Sequence, residues 1–349
     1  MSRAMIADHT RENDTMSPIK EDSAASEAKA RTWRELWAAY LELAKARLAS
    51  MVILTAVVGY VLGARGSFEP LELLYAVIGT ALSAFGANIL NQVLEEDQDR
   101  RMVRTRNRPL PAGRVSRVLA TTWGIASSVA GVALLAGTTN MLTAGLSLFT
   151  IVLYIAVYTP LKTRTSLNTV VGAVCGAIPP MMGWTAATGR LDLGAWILGG
   201  ILFIWQVPHF LALAWMYRED YARGGFKMLP AVDQPGTLTA RLAFIYALSL
   251  LPVTASLAFT GVSGSVFLIT SQILGLAFAA LGWRFLRLRG ETAARRLFFA
   301  SIIYLPLLMM LMVADMDDRI SHLGRDSARS LVEAGAPPGD DAPPPGYEL

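Results

Sequence analysis

Cysteine is almost missing from this chain of 349 residues. Cys175 stands alone in an apolar stretch, which excludes disulfides within the chain and cysteine-based metal sites and leaves a structural thiol at a helix contact as its reading. Charge is scarce too. Asp, Glu, Lys and Arg make up 17% of the residues, whereas a soluble protein carries about a quarter. The first thirty residues are polar and lack an apolar core region, so they do not read as a cleavable signal peptide. They read as a disordered tail, as does the Pro-rich end DDAPPPGYEL. A mitochondrial presequence is disfavoured as well, because Asp8, Glu12, Asp14, Glu21 and Asp22 crowd the N-terminal tail. The net charge of +4 is too small to point to nucleic acid.

What is abundant is apolar length. Hydrophobic residues reach 53%, and the charges cluster between long apolar runs. A spanning helix needs ~20 mostly apolar residues. Nine segments qualify, near residues 48–64, 71–94, 117–136, 141–159, 167–188, 193–216, 242–261, 265–285 and 296–314. The expected fold is therefore all-α and polytopic, a nine-helix membrane domain over 41–315 between polar tails at 1–40 and 316–349. The connections alternate. Clusters such as Arg100 to Arg117, Lys162 with Arg164, Arg218 to Arg241 and Arg284 to Arg296 fall in every second loop, while the others are nearly uncharged. With nine spans all basic loops lie on one side, which the positive-inside rule makes cytoplasmic. The N-terminus is then cytoplasmic and the C-terminus external, and the lipid bilayer is the first partner.

The chemistry-bearing residues gather at that cytoplasmic side. Asn91, Glu95 and Asp99 follow one another at i, i+4 and i+8. At 100° per residue they stay within an arc of about 80°, a column of oxygen ligands with Asp97 turned away. Mg2+ commonly bridges carboxylates to a substrate phosphate. The bland alternative is a solvated helix end. Directly downstream lies RTRNRPLPAGR, in which Arg104, Arg106 and Arg108 suit phosphate and the prolines stiffen the loop. Such arginines also serve orientation or lipid headgroups. A second patch, WQVPHFLALAWMYREDYARGGFKMLP, carries Gln206, His209, Tyr217, Asp220 and Arg223. Asp220 is either a second acidic site or a surface carboxylate paired with Arg223. His209 and Gln206 lie a turn or two inside the membrane, where polar groups face a cavity or a partner; a nearby backbone carbonyl, freed by Pro208, is the bland partner for His209. Lys162 and Arg164 add two cations on the same side.

The N-x-x-x-E-x-x-x-D run at Asn91, Glu95 and Asp99 resembles the first acidic motif of the UbiA prenyltransferase superfamily, with Glu95 where Asp is more usual. RTRNRPLPAGR, YTPLKTRTSLNTVVGAVCGAIPPMMGW and the second patch are similar to its heme O synthase branch. The resemblance covers roughly residues 40–315. It implies nine helices around a central cavity in a bacterial inner membrane. The implied reaction moves a farnesyl group from farnesyl diphosphate to the vinyl group of heme b, giving heme O. Mg2+ would be held by Asn91, Glu95, Asp99 and Asp220, which form the expected catalytic set. Arg104, Arg106, Arg108, Lys162, Arg164 and Arg223 would take the diphosphate. His209, Gln206 and Tyr217 would meet the heme, His209 as iron ligand or porphyrin guide. Heme O feeds terminal oxidases directly or through heme A, so a heme A synthase or an oxidase-assembly protein is the protein partner implied. The rivals are prenylation of a quinone-precursor acid or a chlorophyll-like ring, and a transporter. A transporter should show an internal repeat and mid-membrane ion sites, whereas these carboxylates sit at one face beside arginines.

Overall fold

The computed structural model describes residues 33–65 and 67–316. The tails expected at 1–32 and 317–349 lie outside the described residues. Residues 33–40, assigned to the tail from sequence, are helical: α1 runs Trp33–Leu43. Its sequence WRELWAAYLEL returns apolar residues every three or four positions, the spacing of an amphipathic helix. The chain divides into two units after Ala38, and the unit beginning at Ala39 carries the long apolar helices.

Nine of its helices are long and apolar enough to cross a membrane among the described residues. They are α2 (Ala46–Ala64), α3 (Pro70–Leu94), α5 (Arg117–Thr138), α6 (Met141–Leu161), α7 (Asn168–Thr188), α8 (Leu193–Met216), α11 (Thr237–Phe259), α12 (Ser265–Leu288) and α13 (Glu291–Ala314). Short helices α4 (Glu96–Arg101), α9 (Arg218–Arg223) and α10 (Leu229–Val232) lie at the basic end. No strand occurs among the described residues. Helices α11 and α13 begin about five residues earlier than the apolar pattern implies. Their first turns carry Arg241, Glu291, Arg295 and Arg296, which a hydropathy reading trims although long side chains there reach water.

Consecutive spans pack against one another from α2 round to α13, and α13 returns to α2, closing a ring. The most extensive contacts across it are α2 with α7 and α8 with α13. Within lipid such packing rests on close van der Waals approach. The α2–α7 contact shows the extreme: a Cβ on Gly183 would collide with the Ala56 carbonyl, and one on Gly59 with that of Pro180. Helices α7 and α8 are the most enclosed spans, and the largest apolar cluster joins Leu198, Ile201 and Leu211 of α8 with buried residues of α11, α12 and α13. Cys175 is a buried free thiol in α7, as expected.

One departure from regular helix bears on the site. Within α6, residues Leu153–Tyr158 form a π-helical turn just before Pro160. Proline supplies no N–H and its ring crowds the carbonyl one turn earlier, so the wider turn relieves the strain. It brings Tyr154, Tyr158 and Thr159 to the basic end.

Candidate active site

The column forms, with a joint in it. Helix α3 stops at Leu94, Glu95 leaves helical geometry, and α4 restarts at Glu96. The backbone bonds from Glu95 N–H to the Asn91 carbonyl (3.0 Å) and from Asp99 N–H to the Glu95 carbonyl (2.8 Å) nevertheless persist. The four-residue register survives, so Asn91, Glu95 and Asp99 are all buried while Asp97 is exposed. Burying two carboxylates is unfavourable without partners.

Each rung of the column has one cation. Lys45 Nζ donates to Asn91 Oδ1 at 3.2 Å. Lys162 Nζ pairs with Glu95 Oε1 at 2.7 Å. Arg108 Nη1 donates to Asp99 Oδ2 at 2.7 Å. The three cations come from three segments: the α1–α2 turn, the loop after α6, and the arginine loop. Asn91 is oriented from its other side, because its amide donates to Thr159 Oγ1 at 2.9 Å and Thr159 in turn donates to the Tyr154 carbonyl. The π turn therefore sets which way the Asn91 oxygen faces. Lys162 also lies over the Tyr158 ring, 4.5 Å from its centre.

The electrostatics follow the pairing. Burial works against the Lys162 ammonium, but Glu95 outweighs it and raises its pKa above the ordinary lysine value. Lys45 goes the other way. Burial, with Arg108 and Lys162 next, pushes it down to about 7 against the pull of Glu95 and Asp99. Lys45, Lys162, Tyr154 and Tyr158 are surrounded by protein yet keep accessible surface.

Asp220 stands apart from the column. Its Oδ1 accepts from the Val103 amide at 2.9 Å and from Arg223 at 2.9 Å, and its Oδ2 accepts from the Arg104 amide at 3.2 Å. Burial alone raises this carboxyl, and those three donors more than offset it, holding its pKa below the ordinary value. Among the described residues no three acidic, histidine or cysteine side chains converge as a metal cage. The expected fourth ligand is thus engaged in fastening the arginine loop to α9. What remains for a cation is Asn91, Glu95 and Asp99, with Asp99 Oδ1 buried and lacking a hydrogen-bond partner. Hard oxygen donors of this kind fit a hard divalent ion that keeps its other positions for water or phosphate.

These features match a known fold. The family model described as the UbiA prenyltransferase family fits residues 52–303. The chain belongs to the UbiA prenyltransferase family. It is similar to the protoheme IX farnesyltransferase of Solibacter usitatus, 42% identical over 285 residues, which are 79% of this chain and 98% of that protein. The human mitochondrial protoheme IX farnesyltransferase is 43% identical over 300 residues, 86% of this chain and 67% of that one. A digeranylgeranylglyceryl phosphate synthase shares the fold, with a TM-score of 0.69 over 81% of this chain and 98% of its own at 14% identity. So does a UbiA homologue from Archaeoglobus fulgidus bound to GPP and Mg2+, with a TM-score of 0.59 over 79% and 99% at 14% identity.

Within the UbiA fold the expected site residues separate. Asn91, Glu95, Asp99, Arg108 and Lys162 come together. Arg104 sits over the rings of Tyr217 and Tyr221, 4.8 and 5.3 Å from their centres, and donates to the Tyr221 hydroxyl. Arg106, Arg164 and Arg223 are exposed at the basic end. Gln206 is spent on packing, since its amide donates to the carbonyls of Leu202 and Ala173 and links α8 to α7. His209 is held between Trp205 and Phe298, with Nδ1 2.7 Å from Ser301 Oγ. With Ser301 donating its proton to the Phe298 carbonyl, His209 Nδ1 would carry the hydrogen and Nε2 a lone pair. The partner is a hydroxyl on α13, not the backbone carbonyl that was the bland alternative to a heme contact. Lys45 and Thr159 were missed altogether. The available signal for Thr159 was its place between a tyrosine pair and Pro160.

Proposed function

We propose that this chain is a heme O synthase: it transfers the farnesyl group of farnesyl diphosphate to the vinyl group of heme b, with addition of water, giving heme O and diphosphate. The acceptor follows from the protoheme IX farnesyltransferases, to which most of the chain aligns at above 40% identity. The observation that carries the chemistry is the rung-by-rung pairing of three oxygen ligands with three cations from separate segments.

The column and its cations act on the leaving group. Asn91, Glu95 and Asp99 would hold Mg2+, which when bound supplies Lewis-acid neutralisation of diphosphate charge. Arg108 and Lys162 release their carboxylates and turn to phosphate oxygens as the diphosphate enters. Asp220 serves by holding Val103 and Arg104, and with them the loop that carries Arg108. Arg104, Arg106, Arg164 and Arg223 supply an outer field that draws the anion to the basic end. The C1–O bond then breaks with its electron pair leaving on the diphosphate. Preorganised cations stabilise that charge without reorganising. The vinyl π electrons attack the allylic C1, and water adds to the resulting cation beside the ring and loses a proton. The apolar ring of helices keeps water from the farnesyl cation beforehand. His209 would meet the heme iron or guide the porphyrin through Nε2, with Tyr217 two turns nearer the basic end, and Gln206 would act at that site by bracing α8 against α7. The basic end faces the cytoplasm of a bacterial inner membrane, leaving the N-terminus inside and the C-terminus outside, with the nine-helix domain spanning 41–315.

The test is product analysis by mass spectrometry with purified protein, heme b, farnesyl diphosphate and Mg2+, beside Glu95→Gln and Asp99→Asn variants. A hydroxyethylfarnesyl heme made by the wild type and lost in both variants is the expected result. Prenylation of an aromatic acid offered in the same tube, with heme untouched, would overturn the choice of acceptor.

A further inference from the structure

One serine of α13 ties together the groups around His209. Ser301 is fully buried. Its hydroxyl oxygen lies 2.7 Å from His209 Nδ1, and its proton goes to the Phe298 carbonyl 2.6 Å away. Its own carbonyl accepts the Trp205 indole N–H at 3.0 Å. Trp205 and Phe298 are the rings stacked on the imidazole, with centres 5.1 and 4.9 Å from its own and planes inclined by 21° and 30°. Both stacked residues are thus fastened to Ser301, Trp205 through its indole and Phe298 through its backbone. Polar groups inside spanning helices are expensive. Close packing of α8 on α13 asks only for a small side chain at 301, which alanine would also provide, so the hydroxyl answers to something else.

What the hydroxyl adds is a choice of tautomer. A serine oxygen has one proton to give and two lone pairs to offer. With the proton on the Phe298 carbonyl, the lone pairs face the ring and the imidazole hydrogen belongs on Nδ1. Nε2 is then the unprotonated nitrogen. It makes no hydrogen bond among the described residues and is not one of the fully buried partnerless atoms, so it keeps accessible surface. This is the arrangement of a metal-ligating histidine: the second ring nitrogen donates to an oxygen, which fixes the ring and raises the basicity of the ligating nitrogen. Were the hydroxyl to give its proton to Nδ1 instead, Nε2 would carry a hydrogen and could bind no metal.

We infer that Ser301 is a positioning residue for the heme acceptor, which holds the His209 imidazole in the plane and tautomer that let Nε2 ligate the heme iron. This rests on the heme reading above and deepens it, because it makes His209 an iron ligand and gives that ligand a support on another helix. Ser301 itself touches neither porphyrin nor prenyl chain.

The iron–imidazole stretch in the resonance Raman spectrum of ferrous heme b reads the Nδ1 hydrogen bond directly. It is recorded with the full-length protein in detergent for wild type, Ser301→Ala, Ser301→Cys, Ser301→Thr and His209→Phe. Without its acceptor at Nδ1 the imidazole is a weaker donor to iron. The band is therefore expected at lower frequency in Ala and Cys and back at the wild-type position in Thr, which restores the hydroxyl. Heme b affinity should fall about tenfold or more in Ala and Cys, the size of a lost outer partner of a metal ligand, and recover in Thr. Cys is close to Ser in shape but a weak hydrogen-bonding group, so it decides the matter if the Ala variant does not fold. A band that keeps its wild-type frequency in Ala and Cys, whatever the affinity does, overturns the inference and leaves His209 as the ligand. No such band in wild type, with a heme spectrum unaltered in His209→Phe, overturns the heme-ligand reading on which it rests.

Discussion

Replacing Asp220 by Asn separates two roles that one carboxylate could play. Its oxygens receive the amides of Val103 and Arg104 and the guanidinium of Arg223. Hydrogen bonds to a charged acceptor contribute about 1.5–3 kcal/mol each. Arg223 is largely exposed, so its share is small. Asn keeps one neutral acceptor and turns an NH2 group toward the other backbone donor. One charge-assisted bond is lost and the second weakened, about 2–4 kcal/mol in favour of the undocked loop, or roughly 30- to 1,000-fold in that equilibrium. Hydrogen exchange over residues 102–114, with trypsin cleavage after Arg104, Arg106 and Arg108, reads the docking directly. Faster exchange and cleavage in Asp220→Asn are expected, with weaker pyrophosphate binding because Arg108 is carried by the loop. The same tie predicts a pH dependence. A carboxyl held below its ordinary 3.8 stabilises the folded state above that pH and ceases to do so as pH falls through the lower folded value. Wild-type loop protection should thus persist at pH 4.5 and vanish only in stronger acid. Unchanged loop exchange in Asp220→Asn, joined to a collapse of metal affinity, would refute the reasoning and return Asp220 to the ligand set.

Glu95→Gln leaves the Lys162 ammonium buried beside a neutral amide, and breaking such a pair costs about 3–5 kcal/mol. Thermal unfolding in detergent should show this loss, and the double variant Glu95→Gln with Lys162→Met should recover part of it; equal stability of single and double variants would mean the pair is hydrated. Gly183→Val places a branched side chain against the Ala56 carbonyl and should lower the unfolding temperature by several degrees, corresponding to about 1–3 kcal/mol of overpacking. A midpoint unchanged within a degree would show that α2 and α7 are free to separate. His209→Phe preserves the stacking between Trp205 and Phe298 but removes Nε2. It should abolish the Soret shift on heme b binding while leaving pyrophosphate affinity intact, and an unaltered heme spectrum would remove His209 from the heme site.

The nine spans and the acidic register were legible because each depends on residues close in sequence. Apolar runs set the helices, and the four-residue spacing of Asn91, Glu95 and Asp99 survived even the break at Glu95, since the i to i+4 backbone bonds continue through it. What sequence could not reveal depends on partners far along the chain. Lys45 sits among residues that look like an ordinary basic flank, and Asn91 is 46 positions away. Asp220 read as a second acidic site or as the partner of Arg223; the Arg223 pair forms, but its bonds to the amides of Val103 and Arg104, more than a hundred positions off, had no local signal. Asn88 and Gln92 did offer a signal. Amides at i and i+4 inside an apolar span need a partner, and theirs are the carbonyls of Ala44 and Leu43, in the turn that carries Lys45.

The most direct test of heme farnesylation at this column is one reaction run in H2(18)O with heme b, farnesyl diphosphate and Mg2+, its heme product read by high-resolution mass spectrometry. The account predicts a heme heavier by one farnesyl group and one hydroxyl, with the heavy oxygen in that hydroxyl and free diphosphate released in equal amount. Heme recovered unchanged while diphosphate accumulates, or a farnesyl heme without the labelled oxygen, would contradict it.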